Sequence, residues 1–260
     1  MSIAANLEKI EGRILGACLR SGRKREELNV MAVTKFQTPE IIEEAWKTGL
    51  RCFGESRVQE AVSKFTAGYS GMELHFLGNL QRNKVKLAAS LFDCIQSVDR
   101  QALIPELAKA LNAEPNPVSA KITSTEAVLC RYVPHRPLSL MLEFRTGEDS
   151  KSGFTSLDEL FRTVDLILGC PILRIRGLMT IAPNTREESR LRFAFRQLVK
   201  VQTELERRFP VHGKADSHSW SCLSMVMSDD FETAIEEGST MLRIGSAIFS
   251  RSELNNGEIK

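Results

Sequence analysis

The 260-residue sequence contains no long hydrophobic run. No apolar stretch approaches the ~20 residues that a transmembrane helix needs. Residues 1–28 carry charged residues in every helical turn and lack the uninterrupted apolar centre and cleavage site of a secretory signal. The sequence therefore predicts a cytoplasmic protein with no membrane partner.

Closely spaced cysteines are absent as well. The six cysteines stand one at a time, without the C-x-x-C spacing that zinc and redox sites use. We expect most of them to be small buried hydrophobic residues. His212 and His218 fall in a loop-like stretch, and we interpret them as surface residues. No metal site is predicted.

Neither sign of charge is in excess. The chain has 35 basic and 33 acidic residues, well interspersed, and a net charge of +2. It therefore lacks the broad positive field of a nucleic-acid-binding protein, and we expect no nucleic-acid partner. The content of 42% hydrophobic and 26% charged residues is typical of a soluble globular protein.

The pattern that is present is an alternation of short apolar runs with amphipathic segments. Residues 5–20 have apolar positions at helical spacing, so the chain opens with a helix. The later order favours parallel strands joined by right-handed helical crossovers. We predict one (β/α)8 TIM barrel with an additional N-terminal helix over residues 1–260, with an open doubly wound sheet as the alternative. The eight strand-like runs lie at residues 28–35, 51–55, 74–78, 94–99, 138–144, 173–181, 221–225 and 241–245.

One segment interrupts this rhythm. Residues 112–137 contain four prolines and show no convincing hydrophobic period. We interpret the segment as a long connection or surface insertion before the fifth strand.

A lysine stands at the end of the first strand-like run, in "MAVTKFQ" at residues 31–37. In a barrel the active site lies at the carboxyl ends of the strands, where Lys35 would be. Closure of the barrel would bring the eighth strand, which carries Arg243, beside the first. Two cations in one pocket favour the neutral amine that Schiff-base chemistry requires. The alternative is that each side chain points to solvent or to a carboxylate.

The last two loops of the predicted barrel resemble a phosphate site. Ser228 opens "SDDFETAIEEG" as a helix cap, and Gly245 and Ser246 begin another short helix in "IGSA". Helix amino termini offer free N–H groups to phosphate, and barrels often build such a site after strands seven and eight.

Six motifs in chain order carry a family resemblance over roughly residues 28 to 250: "MAVTKFQ", "FGESRVQE", "LHFLGNLQRNK", "DSKSGF", "IRGLMTIAP" and "MSDDFETAIEEGSTMLRIGSAIF". With these motifs the sequence resembles the pyridoxal phosphate (PLP) homeostasis proteins, which are related to the barrel domain of alanine racemase. The resemblance implies an alanine racemase N-terminal-domain-like barrel that binds pyridoxal 5'-phosphate.

The resemblance also implies a set of cofactor-binding residues. Lys35 would form the Schiff base with the cofactor aldehyde, and Arg243 would face the pyridine nitrogen. The phosphate would be held by Ser228, Gly245 and Ser246, and the ring would be surrounded by Ser56, His75 and Met179. Ser56 stands where the family usually has asparagine, and Val226 stands where it usually has glycine.

An arginine at the ring nitrogen leaves that nitrogen unprotonated, because a guanidinium only donates hydrogen bonds. The cofactor is then a weak electron sink. An alanine racemase also needs a tyrosine base from a further domain, and only Tyr69 and Tyr132 are available here, neither at a strand end.

We therefore predict a non-catalytic, monomeric PLP-binding protein. It would store, buffer or deliver the cofactor, with PLP-dependent apoenzymes as possible recipients. A fold-type III racemase or lyase, with His75 or a cysteine as its base, is one alternative. A cofactor-free Schiff-base aldolase acting on sugar phosphates is the other.

Overall fold

The computed structural model describes residues 2–65, 69–112, 137–147, 152–211, 218–226 and 231–250. Eight parallel strands form a closed barrel in chain order, and β8 pairs with β1. This pairing confirms the predicted barrel and excludes the open sheet. The strands are β1 Asn29–Val33, β2 Cys52–Glu55, β3 Glu73–Phe76, β4 Cys94–Val98, β5 Leu138–Glu143, β6 Leu173–Met179, β7 Cys222–Val226 and β8 Met241–Ile244.

Helices precede the barrel and connect its strands. They are α1 Ile3–Ser21, α2 Pro39–Lys47, α3 Val58–Lys64, α4 Val85–Leu91, α5 Leu103–Asn112, α6 Leu157–Leu168, α7 Glu188–Arg208, α8 Phe231–Glu236 and α9 Ser246–Phe249, with 3-10 turns at Arg25–Glu27 and Arg82–Lys84. None of the described helices combines the length and the apolar character needed to cross a membrane.

The N-terminal helix α1 packs on the outside of the barrel. It begins at Ser2, whose side chain accepts a hydrogen bond from the Ala5 N–H, and it ends at Gly22 in the left-handed conformation. Its buried face includes Ile10, Ile14 and Cys18, the stripe that the sequence period predicts. This face packs against α8 and α9, the helices around β8.

The main hydrophobic core lies between the strands and the surrounding helices. A smaller cluster of Cys94, Met141 and Met179, with Cys222 packed against it, lies inside the barrel. A glycine permits the close approach of β6 to β7, because a Cβ at Gly177 would lie 1.8 Å from the carbonyl oxygen of Cys222.

Three details differ from the sequence-based expectation or extend it. Strand β1 ends at Val33, so Lys35 lies in the turn after the strand and not within it. His218 is half-buried, and its Nδ1 accepts a hydrogen bond from the Ile175 N–H at 3.0 Å, so it is not a simple surface residue. Most of the segment at 112–137, namely residues 113–136, lies outside the described residues.

Cysteine burial follows the expectation only in part. Cys18 and Cys94 are buried, whereas Cys52, Cys170 and Cys222 are half-buried. All five are free thiols. Cys130 lies outside the described residues.

Candidate cofactor site

Lys35 lies at the carboxyl end of the barrel in a tight turn. The turn is closed by a hydrogen bond of 3.0 Å from the Gln37 N–H to the Thr34 carbonyl. The Lys35 side chain is exposed, and the next residue, Phe36, is 77% exposed. Phe36 also has a φ of 66°, which is rare for a residue other than glycine. The chain thus presents the Lys35 amine to solvent at the barrel mouth.

A buried ion pair fixes the strand end beneath this turn. Glu55 is fully buried, and its Oε1 accepts hydrogen bonds from Thr34 Oγ1 at 2.8 Å and from Lys64 Nζ at 3.0 Å. Lys64 Nζ also donates to the Thr34 carbonyl at 3.1 Å. Because buried charges need partners in a fixed geometry, this network holds the backbone from which Lys35 emerges.

Arg243 lies inside the barrel with only 5% of its surface exposed. Its Nη1 donates to the carbonyl and the Oγ of Ser224 at 2.9 and 2.6 Å, and its Nη2 donates to the Thr180 carbonyl at 2.9 Å. Desolvation lowers the pKa of Arg243 to about 10, so the guanidinium remains charged at neutral pH. Three strands therefore hold this cation in place.

Strand register brings the arginine strand beside the lysine strand. Met31 is opposite Arg243 and Ala32 is opposite Ile244. Gly245 and Ser246 therefore leave β8 next to the end of β1. The short helix α9 begins at Ser246, and the Gly245 carbonyl accepts hydrogen bonds from the amides of its third and fourth residues. The structure thus brings four of the predicted residues to neighbouring strand ends.

Ser56 and Met179 lie at the same end of the barrel. Ser56 follows β2 and is half-buried. Its carbonyl packs against Gly78 after β3, where a Cβ would lie only 2.0 Å from the carbonyl oxygen. Met179 is the last residue of β6 and is buried beside Glu143 and Ser224 of the neighbouring strands.

His75 lies deeper in the barrel than the strand ends. Its Nδ1 is 2.8 Å from Gln96 Nε2, and Gln96 Oε1 accepts a hydrogen bond of 2.8 Å from Ser224 Oγ. Because Arg243 also donates to this hydroxyl, a chain of side chains connects His75 to Arg243. The other nitrogen of His75 faces Glu73, at the start of β3. Ser228 and the Val226 side chain lie outside the described residues.

Glu143 is a residue of this mouth that the sequence reading missed. It ends β5, is 2% exposed, and accepts a hydrogen bond of 2.5 Å from Ser152 Oγ. Desolvation raises the pKa of Glu143, and the Asp99 carboxylate acts in the same direction, while the Ser152 hydrogen bond and Arg243 oppose them. A charged residue at the end of the run "LSLMLEF" is the same signal that identified Lys35.

Comparison with known proteins identifies the family of this chain. The family model of the alanine racemase N-terminal domain matches residues 17–253. The pyridoxal phosphate homeostasis protein of Vibrio cholerae is 36% identical over 258 residues, which cover 97% of each chain. The corresponding protein of Escherichia coli K12 is 36% identical over 252 residues, or 95% of each chain. The chain belongs to the pyridoxal phosphate homeostasis protein family.

Two solved structures are similar in fold to this member of the pyridoxal phosphate homeostasis protein family. PipY of Synechococcus elongatus, solved with PLP bound, is 29% identical, with a TM-score of 0.74 and coverage of 96% of this chain and 100% of PipY. Alanine racemase from E. faecalis is 17% identical with a TM-score of 0.64, and the match covers 100% of this chain and 61% of the racemase. The second likeness concerns the fold alone.

The donor groups of this homeostasis-family protein fit the chemistry of PLP. The Lys35 amine can react with an aldehyde, and the backbone amides at Gly245 and Ser246 suit a phosphate group. The guanidinium of Arg243 has five N–H groups, of which the described contacts use three. It can therefore donate to a ring nitrogen without giving up the contacts that hold it.

Proposed function

We propose that this protein binds pyridoxal 5'-phosphate covalently through Lys35 and acts in intracellular PLP homeostasis. The observation that carries the proposal is the pairing of β8 with β1, which sets Arg243 beside the strand that leads to Lys35. The names of the full-length relatives and the PLP-bound structure of PipY support it.

The proposed site uses residues from several strand ends. Lys35 attaches the cofactor, and Arg243 donates to the pyridine nitrogen. Three residues bind the phosphate: Ser228, Gly245 and Ser246. Ser56 and Met179 flank the ring. His75 belongs to the site through Gln96 and Ser224, which orient Arg243.

The proposed role is storage, buffering or delivery of the cofactor without turnover. A ring nitrogen that accepts a hydrogen bond from Arg243 stays unprotonated, and PLP bound in this way is a poor electron sink. Of the two tyrosines, Tyr69 packs against Trp46 of α2, outside the barrel, with ring centroids 5.6 Å apart. It is therefore not placed to act as a base at the strand ends. Tyr132 lies outside the described residues.

Exposure of the lysine supports exchange with the solution. Because the Lys35 side chain is open to solvent at the mouth, an amine from another molecule can reach the same position. We infer that PLP-dependent apoenzymes in the cytoplasm receive the cofactor and that the protein acts as a monomer. Transfer of cofactor from the loaded protein to an apoenzyme, compared with transfer from an equal amount of free PLP, tests this role.

An amino-acid racemase or lyase is the second candidate. The observation that favours it is Glu143, a buried carboxyl group at the same mouth whose raised pKa suits a proton donor. Racemisation of amino acids by the purified PLP-loaded protein distinguishes the two functions. We expect no turnover, and activity that Glu143→Gln abolishes would establish the enzyme instead.

The attachment site is tested by borohydride reduction. We expect the purified protein to absorb in the near-visible region and to retain the cofactor on Lys35 after reduction, as located by peptide mapping. Lys35→Ala should lose the reduced adduct and keep its circular dichroism spectrum, because this side chain is exposed and supports no described contact. The matched control is Lys84→Ala, which changes a lysine in the loop after β3 and should label like the wild type. A label on Lys84 or Lys151, or an unchanged adduct in Lys35→Ala, would overturn the assignment.

A further inference from the structure

A cavity opens at the opposite end of the barrel from Lys35. It has a volume of about 720 Å³ and lies at the amino ends of the strands. Asn29, Glu73 and Cys222, which begin β1, β3 and β7, line it together with Arg176 and Thr240. The proposed PLP site leaves this cavity unused.

Three potential metal ligands meet beside this cavity. The ligand atoms of Cys52, Glu73 and His75 all lie within 4.8 Å of one another. Cys52 is opposite Glu73 in the pairing of β2 with β3, and His75 follows Glu73 by two positions, on the same face of the strand. The pairing of β2 with β3 thus assembles a thiol, a carboxylate and an imidazole.

Among the described residues, the Nε2 atom of His75 contacts only the carboxylate of Glu73. His75 is fully buried, and its Nε2 has no hydrogen-bond partner among the described residues. Its separation from Glu73 Oε2 is 3.3 Å. Two ligands bound at about 2.05 Å to one tetrahedral zinc ion lie about 3.3 Å apart, so this direct contact and a shared ion have the same spacing.

The remaining oxygen of the carboxylate is already occupied. Arg176 donates a hydrogen bond to Glu73 Oε1. This contact leaves Oε2 for an ion and fixes the direction of the carboxylate, as hydrogen bonds to metal ligands commonly do. The thiolate and the carboxylate offset the charge of a divalent cation, and the guanidinium of Arg176 leaves one positive charge in excess.

Gln96 supports the histidine from the other side. A histidine that binds a metal through Nε2 carries its proton on Nδ1 and donates it to an acceptor. In the structure the Gln96 nitrogen lies 2.8 Å from Nδ1, so zinc binding requires the amide to turn and place its oxygen towards the ring as the acceptor. Its nitrogen then faces Ser224 Oγ, which can accept.

We propose that Cys52 Sγ, Glu73 Oε2 and His75 Nε2 bind one Zn²⁺ ion, with the fourth coordination position open to water in the amino-end cavity. A set of one sulfur, one nitrogen and one oxygen ligand in tetrahedral arrangement selects zinc over magnesium or calcium. Binding releases the thiol proton of Cys52 to solvent. The ion would touch none of the groups proposed to contact the cofactor directly, but His75 and Gln96 connect it to the side chains that orient Arg243.

Zinc binding to the purified full-length protein tests the proposal. After chelator treatment and dialysis, titration with ZnCl₂ and elemental analysis should give one zinc per chain. Cys52→Ser should lower the affinity at least about tenfold, since even the loss of a residue that only orients a ligand costs that much. With Co²⁺ as the probe, wild type should show a thiolate-to-metal absorption band that Cys52→Ser lacks at equal cofactor loading.

Two further variants keep the test decisive if one variant folds poorly. Glu73→Gln retains an oxygen that can accept the Arg176 hydrogen bond and should also weaken zinc binding. Cys222→Ser changes a cysteine of the same cavity outside the three ligands and should bind zinc like the wild type. No stoichiometric zinc in the wild type, wild-type affinity in Cys52→Ser, or equal losses in Cys52→Ser and Cys222→Ser would each overturn the proposal.

Discussion

At the scale of single residues, Phe36 has the most unusual backbone conformation. Its φ of 66° makes it the one residue other than glycine with a positive φ among the described residues. The left-handed conformation costs a residue with a Cβ roughly 1 kcal/mol or more. Because the ring is 77% exposed, little apolar burial offsets this cost. Strain of this kind persists where the surrounding structure imposes it, often at functional sites.

Replacement of this residue should stabilise the protein. Asparagine tolerates the left-handed region, so we expect Phe36→Asn to raise the free energy of unfolding by about 0.5 to 1 kcal/mol in urea denaturation. The control is Phe193→Asn, which changes a phenylalanine that is 62% exposed within α7. It should give no gain, and equal gains in the two variants would refute the strain argument.

Glu143, at the barrel mouth, makes the stability of the protein depend on pH. Its pKa is raised above the ordinary value of 4.5, first by desolvation. Between that value and the raised pKa the folded protein binds more protons than the unfolded chain. The contribution of Glu143 to stability is therefore complete below about pH 4.5 and falls as the pH rises through the raised pKa.

Glu143→Gln should remove this dependence. The amide retains an oxygen for the Ser152 hydrogen bond and carries no charge to bury. We expect the variant to be more stable than the wild type at pH 7 and the difference to shrink as the pH is lowered towards 4.5. The measurement is the urea midpoint of both proteins across this range. A difference that grows on acidification would contradict the direction of the shift.

At the scale of elements, charged side chains join three helices on one side of the barrel. Arg20 of α1 pairs with Glu236 of α8 at 2.7 Å, and Arg192 of α7 pairs with the same glutamate at 2.6 Å and with Glu237 at 2.9 Å. These contacts raise the pKa of Arg192 and lower that of Glu236. Helices that are separate in sequence are thus linked around one acidic helix end.

Removal of the Arg192 side chain should weaken the ion pairs that join these helices. Exposed ion pairs contribute about 0 to 1 kcal/mol each, so we expect Arg192→Ala to cost about 1 kcal/mol at low ionic strength and less in 1 M NaCl. Arg207→Ala is the control, because Arg207 pairs with a single exposed glutamate, Glu204, three positions earlier in the same helix. Its effect on the thermal midpoint should be close to zero. Equal, salt-independent losses in both variants would show that the network contributes nothing.

At the scale of the whole molecule, closure of the barrel creates two mouths of different chemistry. The carboxyl end carries Lys35 and Arg243, whereas the amino end carries the cavity lined by Glu73 and Arg176. The hydrogen-bonded side chains of His75, Gln96 and Ser224 lie between the two ends. A single barrel interior therefore supports both proposed sites.

The sequence by itself determined the order of elements and the family. Apolar runs and helical stripes are local, so their periods predicted the eight strands and the leading helix α1. They placed Lys35 at the end of the first strand, whereas it lies in the turn two residues after β1. Boundaries moved by one or two residues: the run at 28–35 became β1 Asn29–Val33. The motif positions of Arg243, Gly245 and Ser246 follow from the same local patterns.

Only the tertiary structure decided which inward side chains meet. Contacts such as Gln96 with Ser224, 128 positions apart, and the cluster of Cys52, Glu73 and His75 depend on the register between strands. Register shifts at Leu140/Met141 between β5 and β6 and at Ser224/Val226 between β7 and β8 alter which residues share a level inside the barrel. A hydrophobic period determines which face of the sheet a residue occupies. It does not determine the register of a strand against its neighbours, and this register places the interior groups.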